Sequence, residues 1–333
     1  MDACPAPLKA DAISHDAIEA ARAWLDTFDR VALATVVATW GSSPVPVGGQ
    51  LVVAPDERFE GSVSGGCVEA EVIFAAGEAI ASGKPKLLEF GVSNETAWRS
   101  GLPCGGTIEI FVEALDADKD TAYLERVLKA RRDRTPLVVA KNLADGAREI
   151  LDTRKDDPLQ SGESRIVDTQ AGRVFLHVLQ PVLHVIIVGA THVGQVLADL
   201  AMRVGWKVRI VDPREAFAQE DRFGAVERHT DWPKDALATM GLDSRTAVVA
   251  LTHVGPIDDE ALIAALRSDC FYVGALGSRR SHAKRVERLQ AAGASESEIA
   301  RIRAPVGLAI GAKGPEEIAV SILAEIIRDQ RGA

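Results

Sequence analysis

A short apolar strand that breaks into a glycine turn and then a helix fixes the architecture of the second half of this chain. His184–Val188 reads as the strand, Gly189-Ala190-Thr191-His192-Val193-Gly194 as the turn, and Gln195–Val204 as the helix, which Gly205 ends. Lys207–Val211 follows as a second strand and closes on Asp212. Such a βαβ unit makes its strands parallel, because the helix returns the chain to the edge where the first strand began. An acid about 20 residues past the first glycine completes the layout of a nucleotide-binding half. One position departs from the usual glycine pattern. Thr191 stands where a second glycine would let the backbone approach a pyrophosphate. Two readings therefore stay open. In one, Gly189, His192 and Gly194 face a phosphate-bearing ligand and Asp212 holds a ribose hydroxyl. In the other, the turn only packs helix on strand and Asp212 is a strand end in solvent.

The pattern repeats downstream. Ala247–Leu251 ends on Thr252-His253, and Phe271–Val273 ends on Gly274-Ala275-Leu276-Gly277-Ser278-Arg279-Arg280. A short segment near Ala304 leads through Gly307, Gly311 and Gly314 to a helix from Pro315. Alternating strands and helices predict a Rossmann-like parallel sheet, whose ligands bind beyond the carboxyl ends of the strands. Gly277-Ser278-Arg279-Arg280 is the anion candidate there, since glycines expose N–H groups, a helix start favours negative charge and arginine pairs with phosphate as a fork; the alternative is that Arg279 and Arg280 are surface charges on a basic helix with Lys284, Arg285 and Arg288. His253 is a further residue at a strand end. Asp258, Asp259 and Glu260 are read as opening the next helix, and Pro315-Glu316-Glu317 as a structural first turn.

A chain of 333 residues suits about two domains, and its 47% hydrophobic content supports a sizeable core. The change of pattern at Gln180-Pro181 divides it into 1–181 and 182–333. A net charge of −10 argues against a bulk nucleic-acid binder. No apolar run approaches the roughly 20 residues of a membrane span, and Met1–Lys9 lacks the apolar core of a secretory signal. A cytoplasmic protein is expected, and a homodimer as the commonest soluble assembly. Cys4, Cys67, Cys104 and Cys270 form no CxxC pair, so neither a zinc finger nor a disulfide framework is expected.

The first half reads as a mixed α/β domain. Helices are expected over 14–28, capped by Ser14, over Val68–Ser82 and over Thr121–Arg132. Strands are expected at Val31–Trp40, Leu51–Ala54, Phe59–Ser64, Lys86–Phe90 and Thr107–Val112, then in a meander at Leu137–Ala140, Ala147–Leu151 and Arg173–Leu179. Three segments stand out. Trp40-Gly41-Ser42-Ser43-Pro44-Val45-Pro46-Val47-Gly48-Gly49 is stiffened by two prolines, and hydroxyls such as that of Ser42 suit a polar or anionic ligand. Gly61-Ser62-Val63-Ser64-Gly65-Gly66-Cys67-Val68-Glu69 places Cys67 beside a helix start, where a thiolate is favoured. Gly101-Leu102-Pro103-Cys104-Gly105-Gly106-Thr107 again sets a thiol beside two glycines.

These three segments, with Gly274–Arg285 and Pro305-Val306-Gly307-Leu308, resemble the XdhC/CoxI family in order and over nearly the whole chain. Thr191 and Val254 depart from its pattern, which often has a glycine and an acid there. The resemblance implies a molybdenum cofactor chaperone that is not itself a subunit of the finished enzyme. Such a protein binds molybdopterin-type cofactor, holds it while a cysteine desulfurase helps install the terminal sulfido ligand, and delivers it to apo xanthine dehydrogenase. Glycine turns such as Gly65-Gly66 and Gly105-Gly106 suit the cofactor's phosphate. The soft thiolates of Cys67 and Cys104 suit molybdenum. Cys4 and Cys270 are read as structural. The competing expectation is an NAD(P)-dependent oxidoreductase, supported by the βαβ unit and Asp212.

Overall fold

The computed structural model describes residues 16–41, 43–91, 106–151, 162–170 and 172–332. The chain divides into two compact units between Pro181 and Val182.

The first unit opens on helix α1 (Ala17–Trp24), which Asp16 caps by accepting from the N–H groups of Ile18 and Glu19. The expected cap, Ser14, lies outside the described residues. Strands β1 (Arg30–Trp40), β2 (Gln50–Val53), β3 (Phe59–Gly61), β4 (Lys86–Phe90) and β5 (Thr107–Asp116) form an antiparallel sheet in the order β3-β2-β1-β5-β4. Strand periodicity sends alternate residues of β1 to opposite faces. Ala32, Ala34 and Val36 pack beneath helix α2 (Glu69–Ser82) with Val72, Ala76 and Ala79. Val31 and Leu33 pack with Ile18 and Ala21 of α1 and with Leu124 and Val127 of helix α3 (Ala117–Arg132). Helix α3 starts earlier than its apolar spacing indicated. Asp116 caps it directly from β5, and the polar stretch with Asp118 and Asp120 is its acidic first turn.

A second antiparallel sheet joins β6 (Leu137–Asn142), β7 (Arg148–Leu151), β8 (Arg165–Thr169) and β9 (Gly172–Leu179) in the order β7-β6-β9-β8. Val37, Phe111, Leu143 and Phe175 are buried together and tie the two sheets into one body. An ion pair lies in the same unit. Lys141 Nζ donates to Glu113 Oε1 with both side chains buried, and Arg148 Nη2 stands 3.2 Å from Glu113 Oε2 and 3.3 Å from Asp120 Oδ1.

The second unit is the expected Rossmann-like fold. Strands β10 (His184–Val188), β11 (Lys207–Val211), β12 (Glu227–His229), β13 (Thr246–Ala250), β14 (Tyr272–Ala275) and β15 (Ile302–Arg303) form a wholly parallel sheet in the order β12-β11-β10-β13-β14-β15. Helices α4 (His192–Arg203), α5 (Glu220–Phe223), α6 (Pro233–Met240), α7 (Gly255–Leu266), α8 (Arg279–Ala291), α9 (Glu296–Ile299) and α10 (Pro315–Arg331) connect and cover it. Leu197 and Ala201 of α4 and Ile322 and Ile326 of α10 pack on Val185, Ile187 and Val249. Leu237 of α6 and Ala261 and Ala265 of α7 pack on Ile186, Val188 and Val248. Burial on both faces is why β10 and β13 read as unbroken apolar runs.

Candidate functional site

The antiparallel pairing of the first sheet fixes where its loops emerge. β1, β3 and β4 end, and β2 and β5 begin, on the same edge. That edge therefore carries the 41–49 loop, the 62–68 turn, and both flanks, Gly91 and Gly106, of the segment that holds Cys104. Trp40 pairs with Thr107 across the β1–β5 ladder, which sets Gly106 beside the start of the 41–49 loop. Ser42, Cys104 and Gly105 lie outside the described residues.

The 62–68 turn is built around a carboxylate. Glu69, the first residue of α2, folds back over the glycines. Its Oε1 accepts from Ser62 Oγ at 2.8 Å, Ser64 N at 2.9 Å and Val63 N at 3.3 Å. Its Oε2 accepts from Gly66 N at 2.8 Å, Val68 N at 3.3 Å and the Ser64 hydroxyl. Burial pushes the Glu69 carboxyl up, but the Ser64 hydroxyl and N–H and the Ser62 hydroxyl outweigh it and lower it to about 2. Ser64 Oγ in turn accepts from Cys67 N at 3.0 Å and Val68 N at 2.9 Å. The donors that a glycine turn offers to a phosphate are here spent on the chain's own anion. Gly65 and Gly66 adopt φ of 74° and 108°, conformations that glycine reaches without strain. Cys67 precedes the helix cap, Val68, and is half-buried against the cluster that also takes Val45.

The proline-stiffened loop packs on this turn. Pro44 Cγ lies 3.4 Å from where a Gly65 Cβ would stand. Gly48 N donates to Val36 O at 2.8 Å, and Val36 N donates to Gly49 O at 2.9 Å, so the loop closes on the bulged part of β1. Beneath Gly48 lies buried His177, whose Nε2 would be 3.1 Å from a Cβ at that position. Burial, with Lys141 and Arg131 nearby, pushes the His177 pKa down to about 3, so it is a neutral prop for the loop at physiological pH.

In the second unit, the residues of the first βα turn are committed to one another. Asp212 is fully buried and accepts from Ala190 N at 2.8 Å, Arg214 Nε at 2.8 Å and Arg214 Nη2 at 2.7 Å. Burial pushes its carboxyl up, but the Arg214 fork and the Ala190 N–H overcome this and hold it below the usual carboxylate range. Thr191 caps α4 by accepting from Gly194 N at 3.2 Å. A Cβ on Gly189 would stand 2.9 Å from Thr252 Cγ2, and one on Gly194 would stand 2.6 Å from Gly189 O, so both glycines are demanded by packing. His192 is exposed, with Nε2 3.5 Å from Glu316 Oε1. His253 holds a left-handed φ of 59° at the end of β13. Ser278 caps α8 by accepting from Ser281 N at 3.2 Å, and Arg279 is exposed beside it.

Thus Gly65, Gly66, Cys67 and Gly106 share one sheet edge in the first unit. Gly189, His192, Gly194, Asp212, Ser278 and Arg279 share the carboxyl edge of the sheet in the second. Reading the sequence missed Glu69 and Arg214. A carboxylate three residues past a glycine pair, and an arginine two past a strand-end acid, are the signals that point to them.

Comparison with known proteins gives two family matches, the XdhC and CoxI family over residues 24–91 and the XdhC Rossmann domain over residues 185–326. The chain is 32% identical over 300 residues to the molybdenum cofactor insertion chaperone PaoD of Escherichia coli strain K12, covering 88% of this chain and 81% of that protein. It is 29% identical to a probable xanthine dehydrogenase subunit of Bacillus subtilis strain 168, covering 93% and 96%. A crystal structure described as a xanthine dehydrogenase of Bacillus halodurans superposes with a TM-score of 0.77 at 26% identity, covering 95% and 96%.

Proposed function

Because the chain belongs to the XdhC and CoxI family, we propose that it carries the molybdenum cofactor as cargo, shelters it while a cysteine desulfurase installs the terminal sulfido ligand, and inserts it into apo xanthine dehydrogenase. The names of the relatives support the cargo and the recipient enzyme. One structural observation carries the reading. The 41–49 loop, the Cys67 turn and both flanks of the Cys104 segment leave the same edge of one sheet.

Each part has a chemical role in this reading. Cys67 and Cys104 offer soft sulfur to the molybdenum end. Glu69 already fills the Gly65-Gly66 turn, so that turn serves to hold Cys67 in place and leaves phosphate binding to other groups. Gly105, Gly106 and Ser42 offer small or polar contacts to the cofactor. Gly189, His192, Gly194 and Asp212 shape the turn of the second unit, and Ser278 and Arg279 supply its anion contacts. An NAD(P)-dependent oxidoreductase is the weaker reading, because the Asp212 carboxylate is spent on Arg214 and Ala190.

The experiment is capture of free molybdenum cofactor by purified protein, followed by gel filtration and metal analysis. The wild type is expected to retain molybdenum, and the Cys67→Ala, Cys104→Ala double variant to lose it. Normal retention by the double variant would overturn the thiol assignment.

A further inference from the structure

Helix starts in the second unit differ in what surrounds them. At α4, His192 stands against Glu316, and Glu317 lies next to it in the first turn of α10. At α8 the surroundings are cationic. Arg279, Arg280 and Lys284 are exposed on its first turns. Among the described residues, the N–H groups of Gly277, Ser278, Arg279 and Arg280 make no hydrogen bond, nor do the side chains of Arg279 and Arg280 pair with an acid. Gly277 has φ of 137° and Ser278 is extended, so successive N–H groups run from the end of β14 into the 13-residue helix α8. Free N–H groups at a helix start favour an anion.

A second observation is independent of the helix start. Arg285, one side-chain layer beneath the turn, is 4% exposed. Its Nη2 donates to Leu276 O at 2.9 Å and lies 3.8 Å from where a Gly277 Cβ would stand. Its acidic neighbour among the described residues is Asp258, whose Oδ2 stands 3.7 Å from Nη2 and whose Oδ1 accepts from Thr252 Oγ1 at 2.6 Å. Nε and Nη1 of Arg285 are buried with no partner among the described residues. Burying a guanidinium with donors unpaired is costly, as expected of an ion held ready for a counter-charge. By contrast, the Gly65-Gly66 turn holds Glu69, and the Gly189 turn holds Asp212 at Ala190 N.

We infer that Gly277–Arg280, backed by Arg285, is a phosphoryl-binding site, moved from the first βα turn of this Rossmann-like unit to the turn after β14. Its ligand is a phosphate or diphosphate group carried on a small molecule. The site itself does not depend on the cargo reading. If that reading holds, the group belongs either to the captured cofactor or to a separate nucleotide.

The full chain would be titrated calorimetrically with inorganic pyrophosphate at low salt. Saturable binding is expected for the wild type and for Arg203→Ala, an exposed arginine in the last turn of α4, with at least a tenfold loss in Arg279→Ala, Arg280→Ala. These exposed, unpaired arginines can be removed without disturbing the core, and circular dichroism would confirm the fold. Arg285→Lys, which keeps the charge but removes the fork, is expected to weaken binding as well. No saturable binding by the wild type, or equal binding by the double arginine variant, would overturn the site. Molybdenum retention is measured in parallel on the same variants. Loss of both pyrophosphate and molybdenum assigns the phosphoryl group to the cofactor, and loss of pyrophosphate alone assigns it to a nucleotide. Molybdenum retained by a wild type that ignores pyrophosphate sinks this inference and leaves the cargo reading standing.

Discussion

Glu69 turns a motif that looks like a phosphate cradle into a self-filled one. Its carboxyl is lowered from an ordinary 4.5 to about 2, against the upward push of burial, because the folded turn donates to it from Ser64, Ser62 and Gly66. A carboxyl depressed by folding contributes stability above its ordinary value and loses it as pH falls towards the folded value. Protection of the Ser64–Val68 amides, relative to their intrinsic exchange rates, is therefore expected to fall between about pH 4.5 and 2, read by NMR, while Glu69→Gln lowers it at pH 7 as well. The change is expected to cost about 1.5–3 kcal/mol locally, the usual worth of hydrogen bonds to a charged group. Unaltered exchange in Glu69→Gln would show that the turn holds without the charge. In the sequence the motif Gly65-Gly66-Cys67-Val68-Glu69 reads as a turn for an anion, but that the chain's own Glu69 occupies it is not legible there. Which anion fills a nest is decided by how the next helix folds back, and spacing does not record that.

The βαβ unit was legible because a strand covered on both faces is apolar without a break, and because Gly194 and Gly205 punctuate its helix. Gly194→Ala is expected to destabilise the second unit by about 1–3 kcal/mol, since its Cβ would meet Gly189 O at 2.6 Å. A thermal melt unchanged by this substitution would contradict the packing described. The edge strands β8, β12 and β15 were not legible. Each is short, and β8 is mostly exposed, so neither apolar run nor alternation marks it. The buried pair of Lys141 and Glu113 was equally silent, because lysine in a strand reads as a solvent-facing residue. Lys141→Ala is expected to cost about 3 kcal/mol by denaturant titration, as it strips the buried Glu113 carboxylate of its closer partner and leaves only Arg148. Replacing both residues with apolar ones of similar size is expected to recover much of that loss. A cost below about 1 kcal/mol for the single change would mean that the pair is solvated.

Two units with different chemistries make up the chain, one with Cys67 and glycine turns at a sheet edge, the other a parallel sheet with cationic and acidic helix starts. The order of their motifs along the sequence was enough to indicate the family, whereas the occupancy of each turn had to come from the folded chain. In the Arg279→Ala, Arg280→Ala variant, fluorescence titration with NADH is expected to show no saturable binding below about millimolar, because the Gly189 turn already has Asp212 committed to Arg214 and Ala190. Micromolar binding that survives in this variant would revive the oxidoreductase. The central claim is cargo binding through the thiol-bearing edge of the first unit. Its most direct measurement is molybdenum retained after incubation with free cofactor and gel filtration, compared between the wild type and Cys67→Ala, Cys104→Ala. Retention by the wild type and its loss in the double variant are predicted. No retention by the wild type, or equal retention by both, would contradict it.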